Sequence, residues 1–271
     1  MVGVFLIACL VGYAALRRLA GNGGATPSSR DVTLTIAYSP EKEELFQRLA
    51  QAFAETGPRL ENGKRVSLVI ANLTPDQMVA QAGTNAYDAI SPDSSIWLGE
   101  IERGSREAGV VGQSLVGETV RYMVSPVVIA MWQDTAESLG YPDADLGWQS
   151  VLQAAAENPE FRWSHPSTNT ASGLLTTLAL FYAGSGTTRG LTEEEATAQA
   201  TIDYVTRLEQ TVRHYGEGEL AVIQQVEAQG RNYLDAFIVQ EQLLVQYNRE
   251  HGRQLVAIYP IEGTLWEDHP L

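Results

Sequence analysis

Short apolar stretches of strand length alternate with helical patterns along most of the chain, and this alternation constrains its fold most. Residues 32–38 alternate polar and apolar side chains, as a half-buried strand does, whereas residues 39–56 place their apolar side chains at helical spacing. The same order of strand and helix returns in residues 65–82 and 87–104. Since strands separated by helices pair in parallel, we expect an α/β protein whose mainly parallel sheets are covered by helices on both faces.

One predicted strand, residues 119–132, is too long for a single sheet and has Pro126 in its middle. Proline has no backbone N–H to donate to a sheet, so we expect the segment to leave one sheet at Ser125 and Pro126 and to enter another. A chain of 271 residues is long enough for two lobes with separate cores. We therefore place a hinge between two lobes at this point.

Charge and cysteine content exclude several classes of function. The formal net charge is −15, whereas nucleic-acid-binding proteins depend on basic patches that neutralise phosphates. The single cysteine, Cys9, lies in the N-terminal apolar stretch, so the rest of the chain has no cysteine for a disulfide, a zinc site or a nucleophile. The four histidines lack metal-ligand spacing, and no G-x-S-x-G, H-E-x-x-H or Walker motif occurs. We predict no nucleic-acid partner, no cofactor, no metal site and no catalytic residue.

The N-terminal residues 2–16 carry no charge and are followed by Arg17 and Arg18. A membrane-spanning helix needs about 20 apolar residues, a length that this stretch reaches only if the arginines snorkel. The tetrapeptide "LIAC", which ends at Cys9, also resembles a bacterial lipobox. We interpret residues 1–20 as a membrane anchor or a lipoprotein signal, and the Gly- and Ser-rich residues 21–30 as a flexible linker.

Hydroxyl and amide side chains gather where the predicted strands end. Five such ends are "YSP" at 38–40, "SPDSS" at 91–95, "SP" at 125–126, the segment 164–173 and "QE" at 240–241. Each end alone is typical of a helix N-cap. In open α/β sheets, however, ligands bind beyond the carboxyl ends of the strands. The recurrence at one edge therefore favours a binding site.

The segment "SHPSTNTASG", residues 164–173, is the richest of these ends and carries no acidic or strongly basic side chain. One helix cap needs one side chain, so the surplus favours an anion site at a helix start, where free N–H groups carry partial positive charge. Gly173 is expected to let a ligand approach the backbone closely. His165 is interpreted as structural, because no partner nucleophile is apparent.

Seven segments resemble, in the same order, bacterial extracellular solute-binding proteins. The chain is similar to the type II periplasmic binding proteins of ABC importers, molybdate- and iron-binding relatives included, over residues 31–271. The segments that carry the resemblance are "IAYSPEKEEL", "DAISPDSSIW", "SPVVIAMW", "LGWQSVL", "SHPSTNTASG", "DAFIVQEQLLVQYN" and "YPIEGTLWEDHP".

The resemblance implies two α/β lobes, joined by crossing strands, that close on a ligand. Lobe one would cover residues 31–124, lobe two residues 125–260, and a return crossing residues 261–271. Members of this group continue past the last matching segment, so the resemblance also implies that lobe one is incomplete without residues beyond Leu271.

Ten residues match positions at which members of this group contact their ligands. The tyrosine ligands of the iron-binding relatives have no convincing match, since only the isolated Tyr233 and Tyr247 lie late in lobe two, and a ferric ligand is not expected. The ligand-binding residues that the resemblance implies are Ser39, Ser94, Ser95, Ser125, Thr168, Asn169, Thr170, Ser172, Gln240 and Glu241.

The resulting expectation is a membrane-tethered, extracytoplasmic protein that captures a small polar solute or an oxyanion for an ABC permease, without covalent chemistry. Two alternatives remain open. The same fold serves equally well as a ligand-sensing or surface-interaction module with no role in transport. An enzyme on this fold would need a reactive residue between the lobes, for which Glu241 and His165 are the candidates.

Overall fold

The computed structural model describes residues 31–109, Gly112 and residues 114–271. The predicted membrane segment, residues 1–20, and the predicted linker, residues 21–30, lie outside this part of the chain. No helix within the described part is both long enough and apolar enough to cross a membrane. The described residues form two sheets with helices between their strands, which confirms the α/β class.

The first sheet is parallel and has three strands in the order β2-β1-β3. Its best-packed part is the carboxyl end of β1, where the Tyr38 ring stacks on Phe46 at 4.5 Å between centroids. Towards the other end, Leu34 and Val69 on opposite faces remain 37% exposed, so helices cover this sheet incompletely. The elements are β1 (Asp31–Tyr38), β2 (Arg65–Asn72), β3 (Ala89–Ser91), α1 (Glu43–Glu55), α2 (Pro75–Gln81) and α3 (Ile96–Glu107).

The second sheet has the order β6-β5-β7-β4-β8, with β9 pairing to β4 outside this path. Strand β5 is parallel to β6 and β7, whereas β4 runs antiparallel to β7, β8 and β9. Five of its six strands therefore run in one direction and β4 runs against them, which gives two parallel and three antiparallel pairings. The strands are β4 (Ser125–Trp132), β5 (Trp163–Pro166), β6 (His214–Gly216), β7 (Ala236–Gln240), β8 (Leu255–Ile258) and β9 (Trp266–Glu267).

Helices cover both faces of the second sheet, and every residue of β4 is buried. Because side chains alternate along a strand, Ile129 packs with Trp148 and Trp163 on one face, while Trp132 packs with Phe237 on the other. The helices are α4 (Gln133–Ser138), α5 (Trp148–Glu157), α6 (Ala171–Ser185), α7 (Glu193–Thr197), α8 (Gln199–Glu209), α9 (Glu219–Gln229) and α10 (Glu241–His251).

Two segments run side by side between the sheets. Strand β4 begins only at Ser125, so the expectation of one strand over residues 119–132 is wrong in length. Residues 119–124 instead make isolated backbone contacts with the end of the described chain. Val120 and Leu271 each donate a backbone hydrogen bond of 2.8 Å to the other. The change of partner at the expected point does occur, because β4 pairs with β9 at Ser125 and Pro126 and with β7 from Val127 onward. The lobe boundaries at residues 124 and 260 remain predictions.

Candidate functional site

The polar ends of the two sheets meet at one place. Ser125 stands at the amino end of β4, not at a carboxyl end as its place among the strand ends implied. Because β4 is antiparallel to β7, with Val127 opposite Gln240, Ser125 still reaches the edge at which β7 ends. Ser125 pairs with Glu267 of β9, so β9 continues this edge of the second sheet towards the first sheet.

Four buried carboxyl groups and one buried lysine lie at this meeting point, and we call them the acidic cluster. Glu41 and Lys42 belong to the 3-10 turn Pro40–Lys42 that follows β1. Asp93 follows β3, Glu219 begins α9, and Glu267 belongs to β9. Backbone contacts bring the segments together, since Asp93 accepts from the His269 N–H and Glu219 accepts from Gln240, at the edge that β4 shares with Glu267. The charges of the other three carboxylates accordingly raise the pKa of Glu267.

Lys42 is the buried cation of the cluster. Its Nζ donates to Ser91 Oγ at 2.9 Å and to the Pro92 carbonyl at 2.8 Å, and it lies 4.0 Å from Glu41. Its side chain is only 1% exposed, and this burial lowers its pKa to about 8 despite the carboxylates nearby. Two of its three N–H groups therefore have acceptors within the protein, and Glu41 adds an ion pair.

Glu219 connects the cluster to two residues that the resemblance implied. It accepts from the Gln240 backbone N–H at 2.9 Å and from Gln240 Nε2 at 3.1 Å. Burial, followed by the charges of Glu41 and Asp93, raises its pKa to about 8, and the nearby Ser172 hydroxyl partly opposes this rise. The Gln240 amide groups thus orient this carboxyl group.

Asp93 is held from both sides of the meeting point. Its carboxylate accepts from Trp97 Nε1 at 2.7 Å, and its carbonyl accepts from the His269 backbone N–H at 3.1 Å. Burial, followed by the charge of Glu41, raises its pKa to about 7. The neighbouring Ser95 N–H donates to Asp268 at 2.7 Å, which ties the first sheet to the return segment.

Glu267 and His269 are fully buried, yet their side chains have no hydrogen-bond partner among the described residues. Both carboxylate oxygens of Glu267 and both ring nitrogens of His269 lack a partner. Burial, followed by the charge of Glu219, raises the pKa of Glu267 well above its ordinary value. Burial, followed by the charge of Lys42, lowers the pKa of His269 to about 3. A buried polar group without a partner is costly and needs an explanation.

Five of the ten implied residues are buried around the cluster, and the protein uses most of their polar groups itself. Ser39 donates to Glu41 and makes no helix cap, contrary to what its place at a strand end suggested. Ser94 Oγ and Ser125 Oγ each accept a backbone N–H at 3.3 Å. The five buried residues are Ser39, Ser94, Ser125, Ser172 and Gln240.

The segment 164–173 divides into structural and open positions. Thr170 caps α6 by accepting from the Gly173 N–H at 3.2 Å. Thr168 and Asn169 are exposed, and their side chains make no hydrogen bond within the described structure. A Cβ on Gly173 would lie 2.1 Å from the Ser167 carbonyl oxygen, so the protein's own backbone occupies that space. The expectation that Gly173 admits a ligand is therefore wrong.

His165 and Glu241 occupy different surroundings. His165 Nδ1 lies 2.7 Å from the Pro166 carbonyl and Nε2 lies 3.3 Å from Glu209, contacts that agree with a structural role. Glu241 begins α10 and accepts a hydrogen bond from the Tyr259 hydroxyl. None of these partners is a serine, threonine or cysteine side chain.

An open groove lies between α1 and α10, beside the cluster. Its larger part is a cavity of about 410 Å³ lined by Ser125 and Glu241, and a smaller cavity of about 160 Å³ reaches Glu41. Glu44, Arg48, Gln242 and Gln246 line both cavities. A small solute fits such a volume. We call the two cavities the helix groove.

The acidic cluster was not predicted from the sequence, because a carboxylate in the first turn of a helix is by default a solvated charge. Such an interpretation holds for Glu43 and Glu44, which are exposed, but not for Glu41 one turn earlier. The available signal was position, since Glu41 and Asp93 stand within the polar strand ends "SPEK" and "SPDSS". Neither spacing nor composition showed that their partners in the cluster are Glu219 and Glu267, which lie far along the chain.

The cluster predicts that the unliganded protein loses stability as the pH rises. The pKa values of Asp93 and Glu219, about 7 and about 8, lie above their values in the unfolded chain, so the folded state binds more protons between about pH 4 and pH 8. Stability is then greatest at the acidic end of this window and falls through it. We expect the melting temperature to drop by roughly 5 °C between pH 5 and pH 8.

Differential scanning calorimetry at several pH values measures this drop. Glu219→Gln should flatten the profile, whereas Glu193→Gln, on the exposed first turn of α7, should leave it unchanged. A melting temperature that stays level or rises from pH 5 to pH 8 would show that the carboxyl groups are ionised in the folded state.

Comparisons with known proteins agree with this architecture. A family model described as bacterial extracellular solute-binding protein matches residues 34–267. No curated protein sequence matches the chain. The periplasmic binding protein P5PA has a similar structure, with a TM-score of 0.58 and 14% identity over 89% of this chain and 73% of its own.

Two further structures are similar at low identity. Iron-bound HitA from Pseudomonas aeruginosa gives a TM-score of 0.56 and 14% identity, covering 88% of this chain and 74% of its own. The OxyR2 regulatory domain from Vibrio vulnificus gives a TM-score of 0.50 and 12% identity, covering 92% of this chain and 89% of its own. At these identities the likeness shows the fold, which is that of type II periplasmic binding proteins, as expected from the sequence.

Proposed function

The chain belongs to the bacterial extracellular solute-binding protein family, and we propose that it captures a small polar solute between its two lobes. The observation that carries the proposal is the meeting of polar segments from both sheets beside an open groove. In this place Glu267 and His269 are buried without partners, and a cavity of about 410 Å³ lies next to Ser125. Ligand sites in proteins are concave and hold a few convergent polar groups.

We further propose that the lobes close on the solute without covalent chemistry. Thr168 and Asn169 offer side chains that the described protein does not use, and Glu241 lines the groove. Closure would replace the solute's water shell with these groups and with backbone N–H groups at helix starts. Ser39, Ser94, Ser95, Ser125, Thr170, Ser172 and Gln240 then support the site from behind, and their roles remain part of the proposal.

The family supports an extracytoplasmic location and delivery of the solute to an ABC permease. Residues 1–20 would tether the protein to the membrane as an anchor or as a lipoprotein signal, with residues 21–30 as the linker. A net charge of −15 agrees with a partner other than nucleic acid.

A solute screen with one double variant tests the proposal. The full chain is screened by thermal shift against oxyanions, amino acids, sugars and polyamines, and binding of each hit is then measured by calorimetry. Thr168→Ala combined with Asn169→Ala should weaken binding by about tenfold or more, through the loss of two hydrogen bonds. The melting temperature without solute should stay nearly constant, because both side chains are exposed and unbonded.

Gln224→Ala is the matched control, since Gln224 is an exposed amide on α9 that belongs to neither the segment 164–173 nor the groove lining. It should leave the affinity unchanged. Equal affinity of the double variant and the wild type would remove the segment 164–173 from the site. A chain that no solute class stabilises would contradict capture itself.

A second candidate is a sensor that keeps the two-lobed fold. It is favoured by the similarity to the OxyR2 regulatory domain, whose TM-score of 0.50 extends over 92% of this chain. Solute uptake by cells that lack this protein separates the two functions. Uptake lost in those cells supports delivery to a permease, whereas normal uptake with an altered response to the solute supports sensing.

A further inference from the structure

The acidic cluster carries more negative than positive charge. It contains four buried carboxyl groups and one buried ammonium group, and among the described residues no other lysine or arginine is buried. Full ionisation would therefore leave three net negative charges away from water. Such an excess is very costly in a protein interior unless a counter-charge or bound protons neutralise it.

The polar atoms that remain free in the cluster are mainly acceptors. Both oxygens of Glu267 lack donors, and His269, whose ring stays neutral, has at least one nitrogen that can only accept. Two donors of Lys42 are already bonded to Ser91 and Pro92, and its charge is paired with Glu41 at 4.0 Å. The group that completes this site must therefore bring N–H donors and positive charge. An oxyanion brings neither.

The spacing of the carboxyl groups favours an extended cation over a single metal ion. A metal ion needs several ligand atoms close to one point. Among the described residues, the one group of three side chains close enough is Glu227, Glu250 and His251, which is exposed and separate from the cluster. The cluster instead distributes its four carboxyl groups over four chain segments from both sheets.

We propose that the acidic cluster binds an organic cation with at least two ammonium groups. This inference rests on the proposed capture of a solute between the lobes and names its chemical class. Each ammonium group has three donors and no acceptor, which complements Glu267 and neutral His269. More than one positive charge is needed to balance three net negative charges. The acidic chain as a whole also attracts cations from solution.

Binding of such a cation displaces protons. In the unliganded site protons reside on Asp93, Glu219 and Glu267, because burial raises the pKa of all three carboxyl groups, to about 7 for Asp93 and about 8 for Glu219. The charged groups that face one another here are Glu41, Lys42, Asp93, Glu219 and Glu267. Because the cation binds the ionised carboxylates, its affinity should rise with pH up to about pH 8.

Calorimetry of the full chain with spermidine and 1,4-diaminobutane tests the inference. We expect binding that is about tenfold tighter at pH 8.5 than at pH 6, with proton release seen as a dependence of the heat on the buffer. The uncharged 1,4-butanediol, which has the same carbon chain as the diamine, should not bind. Titrations with molybdate and with calcium chloride test the oxyanion and the metal ion.

Two neutral variants assign the binding to the cluster. Glu267→Gln and Glu41→Gln should each weaken diamine binding about tenfold or more, and Glu267→Gln should not lower the melting temperature, since it removes a buried carboxyl group without a partner. Glu227→Gln, in the exposed group, is the matched control and should leave the affinity unchanged.

Three results would overturn the inference. Equal weakening by Glu227→Gln and Glu267→Gln would show a general surface attraction. Binding of calcium alone that depends on Glu267 would assign a metal site. Binding of molybdate, an amino acid or a sugar without any binding of diamines would leave solute capture intact and remove the cationic class, whereas no binding by any solute would contradict solute capture as well.

Discussion

Lys42→Met is expected to lower the free energy of unfolding by about 3 kcal/mol or more at pH 7. Methionine fills similar space but leaves the Ser91 hydroxyl and the Pro92 carbonyl without the donors that now lie 2.9 and 2.8 Å away. It also removes the one lysine or arginine charge that is buried in the described part of the chain, which lies close to Glu41, Asp93 and Glu267. Burial of the ammonium group costs free energy, as its lowered pKa shows. Its removal nevertheless costs more, because the buried carboxyl groups then lose the charge that neutralises them.

Urea unfolding of Lys42→Met and of Lys64→Met measures this effect. Lys64 is an exposed lysine in the turn before β2, so its replacement should change stability by less than about 0.5 kcal/mol. Adding Glu267→Gln to Lys42→Met should recover part of the loss, because it removes one carboxyl group that Lys42 neutralises. A loss below about 1 kcal/mol for Lys42→Met would mean that protons alone neutralise the cluster.

Gly173→Ala is expected to destabilise the protein by about 3 kcal/mol, or to prevent folding. The added Cβ would lie 2.1 Å from the Ser167 carbonyl oxygen and 2.4 Å from the Pro166 carbonyl oxygen. Both are backbone atoms between β5 and α6, so relief requires that the start of α6 move away from the end of β5. The Thr170 cap on Gly173 N–H would be disturbed by the same movement.

Gly99→Ala and Gly104→Ala are the matched controls. Both glycines lie within α3, where an added Cβ meets no atom within 4 Å. Alanine in a helix should therefore stabilise the protein by about 0.5–1 kcal/mol at each position. Urea unfolding of the three variants compares them directly. Gly173→Ala within 0.5 kcal/mol of the wild type would show that the segment before α6 adjusts freely, contrary to the packing described above.

Much of the fold was predictable from local patterns. The strand of residues 32–38 and its helix follow from the period of apolar residues, because the same period decides which side chains a strand or a helix can bury. The change of sheet partner at Pro126 was predictable from the missing N–H of proline. The reversal of β4 was not, because the direction of a strand depends on which distant strand it pairs with.

The site was predictable only in part. The polar ends at Ser39, Ser94, Ser125, Ser172 and Gln240 do surround one place, because the ends of neighbouring strands share an edge. The excess of donors in residues 164–173 suggested an uncharged site for an anion. The structure instead places Glu219, one of four buried carboxyl groups, beside Gln240, and this charge changes the class of ligand that we propose.

The sequence by itself determined the α/β class, the alternation of strands with helices and the polar character of one sheet edge, since each depends on neighbouring residues. Only the tertiary structure decided that Glu41, Asp93, Glu219 and Glu267 are buried together, although up to 226 positions separate them. A carboxylate in a sequence is by default a solvated charge. Its pKa and its chemistry change only when other segments of the chain remove the water around it.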